Sequence, residues 1–482
     1  MLNKILSIGP SQFLRGLSIS PYDESTSVWD NLEGIDIYRN PGLLQSGYIN
    51  TDLDPSGSIV RYNIRNMVIY PGDTTYLYAY GDGGASADIY RYNANTDLHV
   101  SGSSGFFPYT ISGSAAQDIT LYKDKIIFTS DLMVGSITSP GAENPTINVS
   151  AVATSLTDNS KHPMFVGPDN NLYLGDVNEL DRYDGTTYST NVLTLETGYT
   201  ITCLESDGRY LIVGASKYVG SNFGVNQSKV FFWDTWSDSW NREYLLPDID
   251  LLKLRKMGSW IYAFTRWGVY RFTYDNGPQV VIHEGTGVTN LYTEATGIDN
   301  WKGMLLWGSS NVWCYGSPSL NLPEALSNPF KTGTGGTANA EITGLKTVGI
   351  NKIYVGALND SNEKLYVFKA DTSYGTGIAK TSLIDLKQPF KIWGVKLVTK
   401  ALGSGDSIQV DIMNDSGTAI MTGTFSYDSD GAKSTKMIKS APTSSTNTIC
   451  DQIIIKLTFT GNVRVKRIDL FGTPQTTDYA ER

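Results

Sequence analysis

Arg209-Tyr210-Leu211-Ile212-Val213 is followed, across a polar stretch, by Lys229-Val230-Phe231-Phe232-Trp233-Asp234. Each run has strand length and carries the β-branched and aromatic side chains that strands favour. The same couple recurs on either side. Upstream stand Asn171-Leu172-Tyr173-Leu174 with Leu180-Asp181-Arg182-Tyr183, then Lys125-Ile126-Ile127-Phe128-Thr129. First of all comes Tyr76-Leu77-Tyr78-Ala79-Tyr80 with Asp88-Ile89-Tyr90-Arg91-Tyr92. Downstream stand Trp260-Ile261-Tyr262-Ala263-Phe264 with Val269-Tyr270-Arg271-Phe272, then Met304-Leu305-Leu306-Trp307 with Val312-Trp313-Cys314-Tyr315. Lys352-Ile353-Tyr354-Val355 with Leu365-Tyr366-Val367-Phe368 ends the series. Aligned on residues 77, 126, 172, 211, 261, 305 and 353, the units are spaced by 49, 46, 39, 50, 44 and 48 residues, a mean of 46. A strand-rich period of about 40–50 residues predicts a β-propeller, in which each unit is a blade that buries its faces only against its neighbours. Six or seven blades fit. The competing reading is a set of unrelated hairpins in two β-sandwiches.

Composition agrees with an all-β chain. Of 482 residues, 48 are Gly, 29 Tyr, 10 Trp and 16 Phe, and only 18% are charged. That excludes a coiled coil, and the apolar content excludes disorder. With 38 basic against 48 acidic residues the net charge is −10, a poor balance for a general nucleic-acid binder. Cys203, Cys314 and Cys450 are far apart and read as buried free thiols. With only three histidines, a zinc site is not expected. The opening MLNKILSIGPSQFLRG is broken by Pro10 and reads as no export signal, so the protein is expected to be soluble and made in a cytoplasm.

Residues 1–60 fall outside the period. They contain Pro10, Pro21, Pro41 and Pro55 and little alternation, which predicts an extended N-terminal arm that wraps the propeller, closes its last blade or reaches a neighbouring subunit. The propeller is expected over 61–384. From 385 to 482 the apolar runs lengthen and hairpin turns such as Asn414-Asp415-Ser416-Gly417 appear, predicting a C-terminal β-sandwich.

Motifs for chemistry are scarce. Asp430-Gly431-Ala432-Lys433-Ser434 lacks the glycine spacing of a phosphate loop. Gly333-Thr334-Gly335-Gly336-Thr337-Ala338 fits GxGxxA without a helix after it, and reads as a loop. Asp52-Leu53-Asp54-Pro55-Ser56-Gly57 starts like a calcium loop, but Asn63 stands where a bidentate Glu is needed. The chain is therefore read as no enzyme and as holding no cofactor or metal. The aromatic run from Phe231 to Trp240 is read either as blade core or as a sugar-stacking platform formed by Trp233, Trp236 and Trp240.

Ser27-Val28-Trp29-Asp30-Asn31-Leu32-Glu33-Gly34-Ile35-Asp36-Ile37-Tyr38-Arg39-Asn40-Pro41-Gly42-Leu43-Leu44 resembles the opening of propeller-type structural proteins of tailed bacteriophages. Val463-Arg464-Val465-Lys466-Arg467-Ile468-Asp469-Leu470-Phe471-Gly472 resembles their last strand. The likeness covers about 30 residues and the architecture. It implies a virion tail component, a nozzle or adaptor ring that works by assembly and not catalysis. Its partners would be copies of itself, as a hexamer, other tail proteins, DNA passing transiently through the lumen, and a host surface. Within the arm, Trp29, Asn31, Gly34, Tyr38, Pro41 and Gly42 are the candidate subunit contacts. The alternatives are a glycan- or receptor-binding propeller at the tail tip and a polysaccharide hydrolase or lyase.

Overall fold

The computed structural model describes residues 3–17, 29–53, 63–82, 86–102, 105–157, 161–217, 226–283, 297–309, 311–317, 319, 322–331, 341–359, 362–369, 374–439 and 449–475. The GxGxxA segment and most of the calcium-like loop lie outside these residues.

The chain is all-β and propeller-like. Successive antiparallel meanders follow one another from Asn63–Tyr70 to Asn362–Lys369. The runs aligned in the sequence are the second strands of these units: Tyr76–Asp82, Lys125–Ser130, Leu172–Asp176, Leu211–Lys217, Trp260–Thr265, Met304–Gly308 and Lys352–Asn359. A second strand has neighbours on both edges and packing on both faces. That is why Leu211, Ile212 and Val213 are all fully buried and why the sequence there is unbroken apolar. The first strand of each unit lies against the first strand of the next, and Glu341–Val348 of the last lies against Asn63–Tyr70 of the first, so the ring closes. Apolar clusters fill the joints. Tyr80, Ile89 and Phe128 pack between the first and second units, and Tyr90, Tyr354 and Val367 between the last and the first.

Within residues 1–60, expected as an extended arm that wraps the propeller, closes its last blade or reaches a neighbour, the described residues carry five strands that join the chain's own sheets, and one of them closes the last unit. β1 (Asn3–Ile8) pairs antiparallel with Arg464–Pro474. β2 (Trp29–Glu33) pairs antiparallel with Gly377–Thr381 and touches Asn328 in parallel. β3 (Ile35–Asp36) and β4 (Leu44–Ser46) form a hairpin, and β4 also pairs with Arg464–Pro474. β5 (Tyr48–Asp52) runs between the sixth and last units, parallel to Ala325–Lys331 and antiparallel to Asn362–Lys369, and so supplies the fourth strand of the last unit. The physical reason is edge satisfaction: a three-stranded last unit would leave a row of unpaired backbone groups. The threading is tight. A Cβ on Gly47 would meet the Pro329 carbonyl oxygen at 2.1 Å, so only glycine fits there.

Beyond the ring, the long strands Ile384–Thr399, Ser407–Met413, Ala419–Ser426, Ile449–Thr460 and Arg464–Pro474 bury Val395, Ile408, Ile455, Phe459 and Leu470 together. Gly377–Thr381, on the propeller side of the expected boundary at 385, already pairs with Ile449–Thr460. The turn at 428–431 is one helical turn, Tyr427–Asp430, capped by the Ser426 side chain.

Candidate functional site

Three charged side chains interrupt the apolar first strands of three neighbouring units. Glu205 stands on Tyr199–Ser206, Arg255 on Leu251–Met257 and Asp299 on Ile298–Trp301. First strands line the axis of a propeller, so residues about 45 positions apart meet there. The Arg255 guanidinium donates to Asp299 through Nη2 and lies 3.9 Å from Glu205 through Nη1. Beside it a cavity of about 380 Å³ is lined by Phe165, Glu205, Arg255, Lys256, Gly258 and Asn300. Lys346 Nζ approaches Asp299 at 3.6 Å.

Both carboxylates also hold neighbouring units together. Glu205 accepts the Lys256 backbone N–H at 3.2 Å, and Asp299 accepts the Thr347 N–H at 2.9 Å and its hydroxyl at 2.8 Å. Asp118 does the same between the second and third units, accepting the Met164 N–H at 2.8 Å. A buried carboxylate needs such donors, and the start of the next strand offers one. The two acids on Arg255 nevertheless titrate in opposite directions. Burial pushes the Glu205 carboxyl up, against the Arg255 charge and two backbone donors. Burial works on Asp299 in the same sense, but the Lys346 and Arg255 charges and the Thr347 donors outweigh it and hold that carboxyl below the usual range. Two acids whose proton affinities are pushed apart around one cation, beside an open cavity and the Phe165 ring, form a polar site suited to hydroxyl and anionic groups. Among the described residues no cluster of three or more His, Cys, Asp and Glu side chains is placed to hold a metal ion, and no helix is long and apolar enough to cross a membrane.

The residues singled out in the sequence lie elsewhere. Trp233 is 2% exposed, with its indole N–H donated to the Ser237 carbonyl, so it offers no face for stacking. Trp240 packs edge-on against Phe231 at 5.0 Å. Trp236 stands free, 80% exposed. Of the candidate contacts of the N-terminal stretch, Trp29, Gly34, Tyr38 and Gly42 are buried, Asn31 is half-buried and Pro41 is exposed. Trp29 is fully buried against Phe13, and the Tyr38 hydroxyl lies 2.7 Å from the Cys314 and Ala325 carbonyls of the sixth unit. Asn31 pairs with Lys380, Gly34 takes φ 63°, and Gly42, next to Pro41, takes φ 84° against Pro10. The four buried ones are used inside the chain. Glu205, Arg255 and Asp299 were not foreseen. Their signal was present in Leu251-Leu252-Lys253-Leu254-Arg255-Lys256, where charges alternate with leucine inside a strand.

The sequence matches no protein-family model and no curated protein. Among solved structures the chain is similar to Raptor of Chaetomium thermophilum, with 11% identity and a TM-score of 0.46 over 68% of this chain and 29% of that one. It thus spans less than a third of the Raptor chain. It is similar to the Dos1 propeller, with 12% identity and a TM-score of 0.42 over 69% of this chain and 96% of that one. It is also similar to an exo-beta-1,3-galactanase of Phanerochaete chrysosporium, with 12% identity and a TM-score of 0.33 over 86% and 96% of the two chains. The expectation that the chain is no enzyme is corrected here. A glycosidase stands among the similar structures, and scarce histidine with no acid motif in the sequence excludes nothing. The physical reason is that a propeller assembles carboxylates such as Glu205 and Asp299 from separate units, with no local motif to read.

Proposed function

We propose that this chain is a structural component of a bacteriophage tail, a nozzle or adaptor ring built from copies of itself, with DNA passing through the assembly. One observation carries the reading. The two stretches that resemble tailed-phage structural propellers, 27–44 and 463–472, are far apart in sequence, and the end of the first meets the start of the second in space. Leu44 pairs with Val465, and the Ser46 N–H donates to the Val463 carbonyl at 3.0 Å. In this reading the meander units are seven blades and the C-terminal strands a two-layer sandwich stitched to the ring by β1, β2 and β4. Other tail proteins, a virion location and, by the resemblance, six copies belong to the same proposal.

Because Trp29, Gly34, Tyr38 and Gly42 are buried inside the subunit, the subunit contact in this reading falls on the C-terminal strands and the connection leading into them. Leu383, Trp393 and Ile449 are 48%, 37% and 45% exposed there. Lys391 pairs with Ile449, which sets Ile449 and Trp393 on one face. Exposed apolar side chains on a pair of strands and the connection into it mark a protein contact. Light scattering and negative-stain microscopy of the full chain are expected to show a closed ring. Trp393→Glu combined with Ile449→Glu is expected to release folded monomers with an unchanged melting temperature. A wild-type chain that stays monomeric at the highest attainable concentration overturns the self-assembly reading.

A further inference from the structure

We propose that the turn at 234–241 of the fourth unit is a binding site for a neutral sugar ring, with Trp236 as its stacking platform. The inference is independent of ring assembly. It rests first on how firmly the turn is built. Asp234 Oδ1 accepts the Trp236 and Ser237 N–H groups at 3.2 and 2.9 Å, and Oδ2 accepts the Ser237 hydroxyl at 2.8 Å and the Asn241 amide at 2.9 Å. Asn241 returns the contact by accepting the Asp234 N–H at 2.8 Å. Against the upward pull of burial, these donors hold the Asp234 carboxyl down at about 2.

The turn is also strained. Thr235 takes φ 73°, a conformation that a β-branched residue adopts only when its surroundings force it. Underneath, Trp233 is locked against Tyr173 of the third unit at 5.7 Å, edge to face. The outcome of this ordering is a single large apolar side chain held out into water. A folded chain that spends conformational strain to expose an indole has pre-organised it for contact.

The surroundings choose the partner. Around Trp236 the turn offers Asp234, Ser237, Asp238, Ser239 and Asn241, of which Asp238, Ser239 and Asn241 are exposed. An indole face with hydroxyl, amide and carboxylate groups beside it matches a pyranose, which has one C–H-rich face and a rim of hydroxyl donors. A protein hot spot would be ringed by further apolar groups. The neighbouring unit anchors the base of this turn through Tyr173, which packs against Trp233. The Tyr173 hydroxyl donates to Asp169 at 2.7 Å, and Asp169 orders the turn of Asn171 beside it. The carboxylates disfavour acidic sugars by like-charge repulsion.

Affinity electrophoresis of the full chain through gels containing dextran, mannan, galactan or, as the acidic probe, hyaluronan tests the inference. Retardation by at least one neutral polymer is expected. Trp236→Ala should weaken it at least about tenfold, Trp236→Phe should retain part of it, and hyaluronan should not retard. Circular dichroism of Trp236→Ala should match wild type, since the side chain touches little of the fold. No retardation by any polymer overturns the proposal, and so does retardation that Trp236→Ala leaves unchanged. Trp236-dependent binding of hyaluronan overturns the neutral-sugar assignment.

Discussion

A chain lacking residues 1–53 is expected to be recovered only as unfolded, insoluble protein. Trp29, Leu32, Ile35, Leu44 and Tyr48 are each 1% exposed or less. Burying a large apolar side chain is worth about 1.5–3 kcal/mol, so five of them amount to about 10 kcal/mol. The stability of a whole domain is only about 5–15 kcal/mol. The deletion also strips partners from what remains. Asn362–Lys369 loses β5 along one edge, Arg464–Pro474 loses β1 and β4, and the Cys314 and Ala325 carbonyls lose the Tyr38 hydroxyl. Soluble yield and circular dichroism read the outcome. Trp29→Ala gives the graded version, with an expected loss of about 3–5 kcal/mol in a urea unfolding curve. A soluble, cooperatively folding deletion chain that fails only to form rings would show that the N-terminal strands serve neighbouring subunits after all.

The same segment shows where sequence reading stops. Second strands of the units are legible because both of their faces and both of their edges are covered, which demands unbroken apolar runs such as Lys125-Ile126-Ile127-Phe128. The C-terminal strands are legible because they are long. β2 to β5 hold only five, two, three and five residues. Strands of that length carry too few positions for alternation to show. Their partners, such as Asn328 for Glu33 and Phe330 for Tyr48, lie nearly 300 residues away. What the sequence does show there is proline, which suits irregular chain and edge strands alike.

Side-chain roles were harder to read than strands. In the run from Phe231 to Trp240 three tryptophans look equivalent, yet Trp233 is core, Trp240 is packed on Phe231, and Trp236 is free. The difference is set by the Asp234 turn, whose hydrogen bonds reverse the chain between Trp233 and Asn241. The polar joint at Glu205, Arg255 and Asp299 shows in the sequence only as charges among the leucines around Arg255, because the side-by-side packing of successive units, and not sequence proximity, brings its members together.

Asp299→Asn is expected to cost about 3 kcal/mol at neutral pH, because it leaves Arg255 and Lys346 without their common buried counter-charge. The size of the loss should depend on pH with a definite sign. The folded protein holds the Asp299 carboxyl below its ordinary range. Its contribution is therefore fully present above the unfolded value of about 3.9 and disappears as pH falls through the lower folded value. Glu205 runs the other way. Its carboxyl is pushed up by burial, so its contribution is present below the unfolded value of about 4.3 and is lost as pH rises through the folded one. Around pH 4, Arg255 thus faces a mostly charged Asp299 and a mostly neutral Glu205, and ionising Glu205 at higher pH adds a second buried charge whose formation burial opposes. Glu205→Gln should accordingly be neutral or mildly stabilising at pH 7, where Asp299→Asn is most damaging. Urea midpoints for both variants at pH 7, 5 and 3 check the pair. A penalty for Asp299→Asn that stays constant across that range, or a Glu205→Gln penalty as large as that of Asp299→Asn at pH 7, would show that Arg255 is not the hinge on which the two acids divide their roles.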